Sequence, residues 1–378
     1  MLEKSPRHWV DLFLLKAPRD TFWSALFIWD LLAGDERNSP LKRLSPDPSL
    51  TTDEVTVGDR QIPVDIHRSR VPSSAPAIVL CHGFAHQGNR DPRIIGICQR
   101  LARTGFVVLA PDFPLLKNYR LGLEDVDALV ACFRHLQFLP EVDTERVGVT
   151  GFSFASSLIV IGLSRPEIRD CVSFGGLFGG YCDLRRTLRY VLTGVYEGEG
   201  HHGKVEPLRR QDRWKFLRGN VHLLPDSRSR DAYVAFLDKK IEDPSLTLDP
   251  ILDSFTTPEQ QALRLVENED PARYDALFAP VARYFEDWLE TLSLQRYAPG
   301  VRARMLIGHS IVDPVIPFTE SMSLARCLAP ETRPCVAIIG LFTHVDLNLN
   351  WRSLKSLVCD VMPDLRRLWG LIYRVIRA

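Results

Sequence analysis

The sequence predicts an α/β protein built on a mostly parallel sheet, and three observations carry the prediction. Short apolar runs recur at Ala77–Cys81 (AIVLC), Phe106–Ala110 (FVVLA) and Arg146–Thr150 (RVGVT). Each is followed by a segment with helical apolar spacing: Pro92–Thr104, Gly122–Phe138 and Phe154–Leu163. Strands that are apolar along their whole length, alternating with helices, imply a parallel sheet covered on both faces. Composition is that of a globular protein, 45% hydrophobic and 25% charged over 378 residues, enough for one large domain with an insertion or for two domains.

Taken in order, residues 8–33 carry helical spacing broken at Pro18, which predicts two short helices. The polar, proline-containing stretch Gly34–Asp53 reads as a linker, so residues 1–53 form an N-terminal helical arm and linker. Glu54–Arg68 predicts a β-hairpin around Gly58-Asp59-Arg60. The strand–helix alternation then runs to a strand at Asp170–Phe174, giving a first core part over residues 54–176. It stops, and resumes with strands at Ala303–Gly308 and Cys335–Gly340 in a second core part, residues 301–378. A parallel crossover needs only about a dozen residues. Residues 177–300 are therefore read as an insertion, with helical patterns at Ala232–Ile241, Pro258–Val266 and Val281–Leu292. A mostly helical cap over the C-terminal edge of the sheet, where open parallel sheets bind ligands, is the expected placement.

Composition excludes several function classes. Lys plus Arg and Asp plus Glu both number 47, and this zero net charge lacks the basic excess expected of a nucleic-acid binder. The eight cysteines form no CxxC pair, and Cys81, Cys171 and Cys335 sit in apolar runs. Buried free thiols are expected, with neither a disulfide framework nor a zinc site. His201, His202 and His222 lack a carboxylate or cysteine partner at ligand spacing, so no metal is expected. The N-terminus, interrupted by Glu3, Asp11, Lys16 and Asp20, lacks the signal-peptide pattern, and Thr21–Ala33 is too short to span a bilayer. A soluble, cytoplasmic protein is expected.

The segment that carries chemistry is Arg146–Ser157 (RVGVTGFSFASS). A strand runs into Gly151-Phe152-Ser153-Phe154-Ala155, and a helix follows at once. Such a turn lifts the serine hydroxyl above the sheet edge and offers helix N-terminal N–H groups to developing negative charge. The pattern is GxSxA, with the small Ala155 where glycine is usual. Serine needs a base and an orienting acid. Asp313, in the loop Gly308–Pro317 (GHSIVDPVIP), and His344, in Leu341–Asp346 (LFTHVD), each follow a predicted strand end. Serine, acid and histidine thus occur in that chain order at one sheet edge. Competing structural readings stay open: Ser153 as a helix N-cap, Asp313 as a turn former before Pro314, and Asp183 as the acid instead. His82 is read as holding its loop, His309 as filling space or bonding to backbone, and Asp346 as local or solvated. Lys204–Arg218 is read as a solvated helix.

On His82-Gly83, GFSFA, DPVIP and the terminal FTH, the chain resembles the α/β-hydrolase superfamily over residues 54–176 and 301–378. Among its branches it looks most like the esterase, dienelactone-hydrolase and prolyl-oligopeptidase group. The resemblance implies an eight-stranded sheet and the triad Ser153, Asp313 and His344. It also implies an oxyanion hole from the backbone N–H groups of Phe154 and Phe84. The expected activity is cleavage of a carboxylic ester or related acyl bond of a small apolar substrate, without cofactor. Peptidase and acyltransferase remain enzyme alternatives, and a non-catalytic binding protein on the same fold is the alternative outside enzymes. The cap aromatics Phe178, Tyr181, Trp214, Phe216, Phe285 and Trp288 suggest an apolar group in the substrate. The amphipathic run Asp364–Ala378 has two readings: packing on the domain, which is preferred, or, with the aromatic N-terminal arm, peripheral contact with an acidic membrane surface. Oligomeric state is not legible.

Overall fold

The structure is a computed structural model that describes residues 18–34, 38–69, 74–343, 346–347 and 361–377; the side chains of 342, 343, 346 and 347 are not described. In chain order the elements begin with α1 (Pro18–Ala33), α2 (Pro40–Leu44), β1 (Ser49–Val57), β2 (Arg60–Arg68), β3 (Ala75–Cys81), α3 (Pro92–Arg103) and β4 (Val107–Pro111). Next come α4 (Pro114–Lys117), α5 (Leu123–Gln137), β5 (Val142–Phe152), α6 (Ser156–Ser164) and β6 (Phe174–Phe178). Between β6 and the next core strand lie α7 (Leu184–Thr193), a hairpin of β7 (Val195–Gly198) and β8 (His201–Lys204), and α8 (Arg210–Gly219), α9 (Arg230–Glu242), α10 (Thr257–Glu267) and α11 (Pro271–Leu292). The chain ends with β9 (Arg304–Ser310), α12 (Phe318–Cys327), β10 (Cys335–Ile339), the two-residue strands β11 (Phe342–Thr343) and β12 (Asp346–Leu347), and α13 (Met362–Arg377).

Eight strands form one sheet in the order β1-β2-β4-β3-β5-β6-β9-β10. The pairs β3·β4, β3·β5, β5·β6, β6·β9 and β9·β10 are parallel, and β1·β2 and β2·β4 are antiparallel. This is the mostly parallel, helix-flanked sheet expected of an α/β-hydrolase. Every residue of β4 is buried, as are all but one of β3, because helices cover both faces. The core accordingly has two parts. One includes Phe27 of α1, Ile94 and Cys98 of α3, and Leu368, Leu371 and Ile376 of α13. The other joins α5 and α6 to the segment between β6 and β9. From β3 the chain moves outward to β4, then returns to place β5 on the other side of β3. The strand order therefore reverses at the ends of β3 and β5, where diverging loops leave a crevice.

Several expectations need correction. The strand expected at Asp170–Phe174 lies at Phe174–Phe178, and Cys171 is exposed. The supposed linker contains α2 and the first residues of β1. Of the two N-terminal helices expected, α1 is described, and residues 8–17 lie outside the described residues. The α1 helix is docked firmly: Asp30, 1% exposed, pairs with Arg100 Nε of α3 at 2.7 Å and accepts a hydrogen bond from the Ser39 hydroxyl. The α8 helix is not simply a solvated face. It buries Arg213, Trp214 and Leu217, and Arg213 bonds Glu269 at 2.5 Å. Leu365, Leu368, Trp369, Ile372 and Ile376 of α13 pack on the core, whereas Phe22 and Trp29 of α1 are exposed. No helix among the described residues is long and apolar enough to cross a membrane.

Candidate active site

The site begins at the junction of β5 and α6. Ser153 adopts φ 55°, a left-handed conformation that non-glycine residues rarely take, and opens a single turn of 3-10 helix, Ser153–Ala155, before α6. Strain of this kind persists where closely packed surroundings over-determine a turn. A Cβ on Gly151 would lie 2.7 Å from the Cys81 carbonyl oxygen, so only glycine lets β5 pass β3 there. A Cβ on Gly83 would lie 3.1 Å from the Phe152 oxygen and 3.2 Å from Ser153 Cβ, so the loop after β3 rests directly on the serine turn. Ala155 is fully buried, which explains why a small residue is needed two positions after Ser153. The Ser156 hydroxyl accepts from Tyr181 N at 3.3 Å and so ties this turn to the chain leaving β6.

The loop after β3 is pinned by His82. Its Nε2 accepts from Phe113 N at 3.1 Å, so the proton sits on Nδ1, which donates to Gly83 O at 2.7 Å. Burial pushes the His82 pKa below its ordinary value, which keeps this neutral form. The peptide is planar and trans, so a Gly83 carbonyl held toward His82 turns the Phe84 N–H the opposite way. The Phe84 and Phe154 rings stack over this region, with centroids 4.5 Å apart.

Asp313 lies in the turn after β9 and is 2% exposed. Its Oδ1 accepts from Val315 N at 2.7 Å and Ile316 N at 3.0 Å, and Tyr190 of α7 donates to its carbonyl oxygen at 2.5 Å. Oδ2 lies 3.5 Å from His309 Nε2. His309 itself bonds Ile316 O at 2.9 Å and the Ser321 hydroxyl at 2.7 Å. Asp313 thus closes its turn through Oδ1, while Oδ2 lies toward His309. Asp183, the alternative acid, is the N-cap of α7: its side chain accepts from Arg186 N at 2.9 Å, and its own N–H donates to the buried Glu320 at 2.7 Å. His344 lies outside the described residues, between β11 and β12.

Ser153 opens into a cleft of about 240 Å³. Phe84, Tyr119, Phe154 and Phe216 contribute rings to its lining, and Leu184, Leu188 and Val191 of α7 contribute aliphatic groups. Val315, beside Asp313, lines it too, and Arg93 and Asp212 are its charged residues. Arg93 is held in a two-pronged pair with Asp91, at 2.9 and 2.7 Å. Of the six insert aromatics singled out from the sequence, only Phe216 reaches this lining. Tyr181 and Trp214 are fully buried elsewhere, Phe285 is buried, and Trp288 binds Leu121 O at 3.1 Å. Phe178 packs on Phe152. Tyr119 and Tyr190 escaped sequence reasoning. The one available signal for Tyr119 was its place in the loop after β4, at the C-terminal edge of the sheet.

No protein-family model matches the chain, and a search of curated protein sequences finds no match. Among solved structures, it is similar to a putative dipeptidyl aminopeptidase IV from Bacteroides ovatus, with 15% identity, 86% of this chain and 36% of that chain covered, and a TM-score of 0.48. It is similar to an acylaminoacyl peptidase from Pyrococcus horikoshii, with 14% identity, 88% and 41% covered, and a TM-score of 0.48. An esterase from Pyrococcus furiosus gives 13% identity, 91% and 95% covered, and a TM-score of 0.47. The chain thus spans well under half the length of these two peptidases.

Proposed function

From an α/β-hydrolase fold, we propose that the chain is a serine hydrolase that cleaves a carboxylic ester or related acyl bond of a small apolar substrate. The observation that carries this reading is Ser153, held at φ 55° between a strand and a helix and lining a cleft at the sheet's switch point. Strain of this kind in a turn at the end of a strand has a ready use in presenting a nucleophile. In the proposed reaction His344 takes the Ser153 proton as the hydroxyl oxygen attacks the carbonyl. Asp313 orients and stabilises the imidazolium, and the N–H groups of Phe154 and Phe84 receive the tetrahedral oxyanion. The alcohol leaves with the proton from His344. Water then attacks the acyl-enzyme with His344 again as base, releasing the acid. Residues 177–300 act as the cap, with α7 and α8 supplying part of the cleft.

The test is a fluorophosphonate probe on the folded chain, read by mass spectrometry. The expected adduct is on Ser153, and Ser153→Ala abolishes both adduct and turnover. An intact, folded chain that takes no label at Ser153 refutes the reading and favours a binding protein. Ester, aminoacyl amide and acyl-acceptor substrates then separate esterase from peptidase and acyltransferase.

A further inference from the structure

The rings beside Ser153 form a continuous array. Phe84 and Phe154 stack at 4.5 Å with planes 21° apart, Phe154 and Phe216 at 6.2 Å and 29°, and Phe84 and Tyr119 at 5.4 Å and 33°. Phe84 and Phe216 lie 6.0 Å apart at 50°, so the four rings, contributed by three loops and α8, make a contiguous aromatic wall rather than one parallel stack. Phe84, Tyr119 and Phe216 are only half-buried, so part of each ring remains open. The cleft's aliphatic residues come from successive turns of α7: Leu184, Leu188 and Val191. At about 240 Å³ the space is below the range of roughly 300–1,000 Å³ that holds drug-sized ligands. A small substrate group, rather than a drug-sized ligand, matches that volume.

Tyr119 is held in this wall at some cost. Its φ is 56°, so it and Ser153 are left-handed non-glycine residues lining one cleft. The insert fixes it: Asn220 Nδ2 donates to Tyr119 O at 2.9 Å, and the Lys215 ammonium lies 5.6 Å from its ring centroid. Gly219 makes the approach possible, since a Cβ there would lie 2.2 Å from Asn118 O. A strained residue over-determined by contacts from a separate part of the chain, with its ring in a cleft, fits a recognition role better than a packing one.

We propose that this cleft binds one flat aromatic ring of the substrate beside the scissile bond, with Tyr119 as the specificity-determining residue of the wall. The inference rests on Ser153 being the nucleophile. An aromatic acyl group and an aromatic alcohol share the required chemistry, and the test distinguishes them. Stacking on an aromatic wall adds to simple area burial, enough for about a ten-fold preference.

The experiment measures kcat/KM by acid release for methyl phenylacetate, benzyl acetate and ring-free alkyl esters of matched carbon number and longer chain. It uses the full-length chain, Y119A and Y119F, with fluorophosphonate labelling of Ser153 in all three. The expected result is a ring preference of about ten-fold or more on the acyl or the alcohol arm, which identifies the side bound. Y119F keeps the preference, and Y119A loses most of it while gaining relative activity on longer chains. Labelled Ser153 with a wild-type preference for long ring-free esters overturns the inference and leaves the hydrolase reading standing. So does a Y119A effect that is equal on every ester. A folded chain with neither labelling nor turnover overturns both.

Discussion

Replacing His82 with Phe tests whether the loop after β3 is held for stability alone or also for chemistry. The substitution keeps an aromatic ring in a fully buried site but removes both hydrogen bonds. Phe113 N–H then has lost its acceptor in the core, which costs on the order of 1–3 kcal/mol of stability. The Gly83 carbonyl is also released, and the peptide that aims the Phe84 N–H is free to rotate. Losing one oxyanion donor costs about 2.7–4 kcal/mol in the transition state, or ~10²–10³ in kcat. The two effects separate in the assay: thermal unfolding reads the first, and kcat on a small ester the second, with KM little changed. Ser153 labelling checks that the serine turn survives. A variant that loses the expected stability yet keeps kcat within about threefold refutes the aiming role. The same bonds set a pH dependence. The folded-state pKa of His82 lies below the ordinary 6.5 because of burial. The unfolded chain therefore takes up the proton first, and the contribution of neutral His82 is present above pH 6.5 and lost as pH falls below it. H82F flattens this acid limb, leaving the part due to His67 and His222, which burial also lowers.

Three further outcomes follow from named contacts. Asp313→Asn lowers kcat by about 10⁴, the loss seen when a triad acid becomes an amide, whereas Asp183→Ala costs ~1 kcal/mol of helix capping with kcat retained; the opposite pattern in ester turnover and thermal melts assigns the acid to Asp183. Burial raises the Asp125 carboxyl to about 7 against the opposing N–H groups of Leu116 and Leu115, so its contribution is full below pH 3.8 and lost as pH rises to about 7. Asp125→Asn should flatten that limb in denaturant melts, and an unchanged slope contradicts the assignment. Asp30→Ala removes the carboxylate paired with buried Arg100 and should cost about 3–5 kcal/mol. Melting temperature and protease cleavage within α1 read this loss, and a near-neutral melt shows that α1 docks through apolar contacts alone.

What the sequence disclosed, and what it hid, follows from how local each cause is. Strands β3 and β4 were legible because burial on both faces imposes continuous apolar runs, whereas β5 was legible only over Arg146–Thr150, since Asp143, Thr144 and Glu145 before it are polar and not buried. The turn at Ser153 was legible because strand, small residues and helix adjoin in the chain. β1 was partly missed because most of its residues are exposed at the sheet edge, so no apolar alternation marks them. β6 was misplaced because Gly175 and Gly176 look like strand breakers. In the sheet they are close-contact positions: a Cβ on Gly175 would lie 2.6 Å from Leu163, and one on Gly176 would lie 2.5 Å from the Thr150 hydroxyl. Asp313 was ambiguous for a physical reason, since the same carboxylate that faces His309 also closes its own turn. Phe84, Phe154 and Phe216 were named from the sequence, but their meeting with Tyr119 in one wall was hidden. Tyr119 takes its conformation with the help of Asn220, and Tyr190 reaches Asp313 across 123 residues of chain. Aromatic content in the insert pointed to an apolar site, but a helical insert spends most of its rings on its own core. Which ring reaches the cleft depends on how α8 is set against the core loops by contacts such as Trp288 to Leu121 and Asn220 to Tyr119. No local pattern in α8 distinguishes Phe216, which lines the cleft, from Trp214, which is buried two residues earlier.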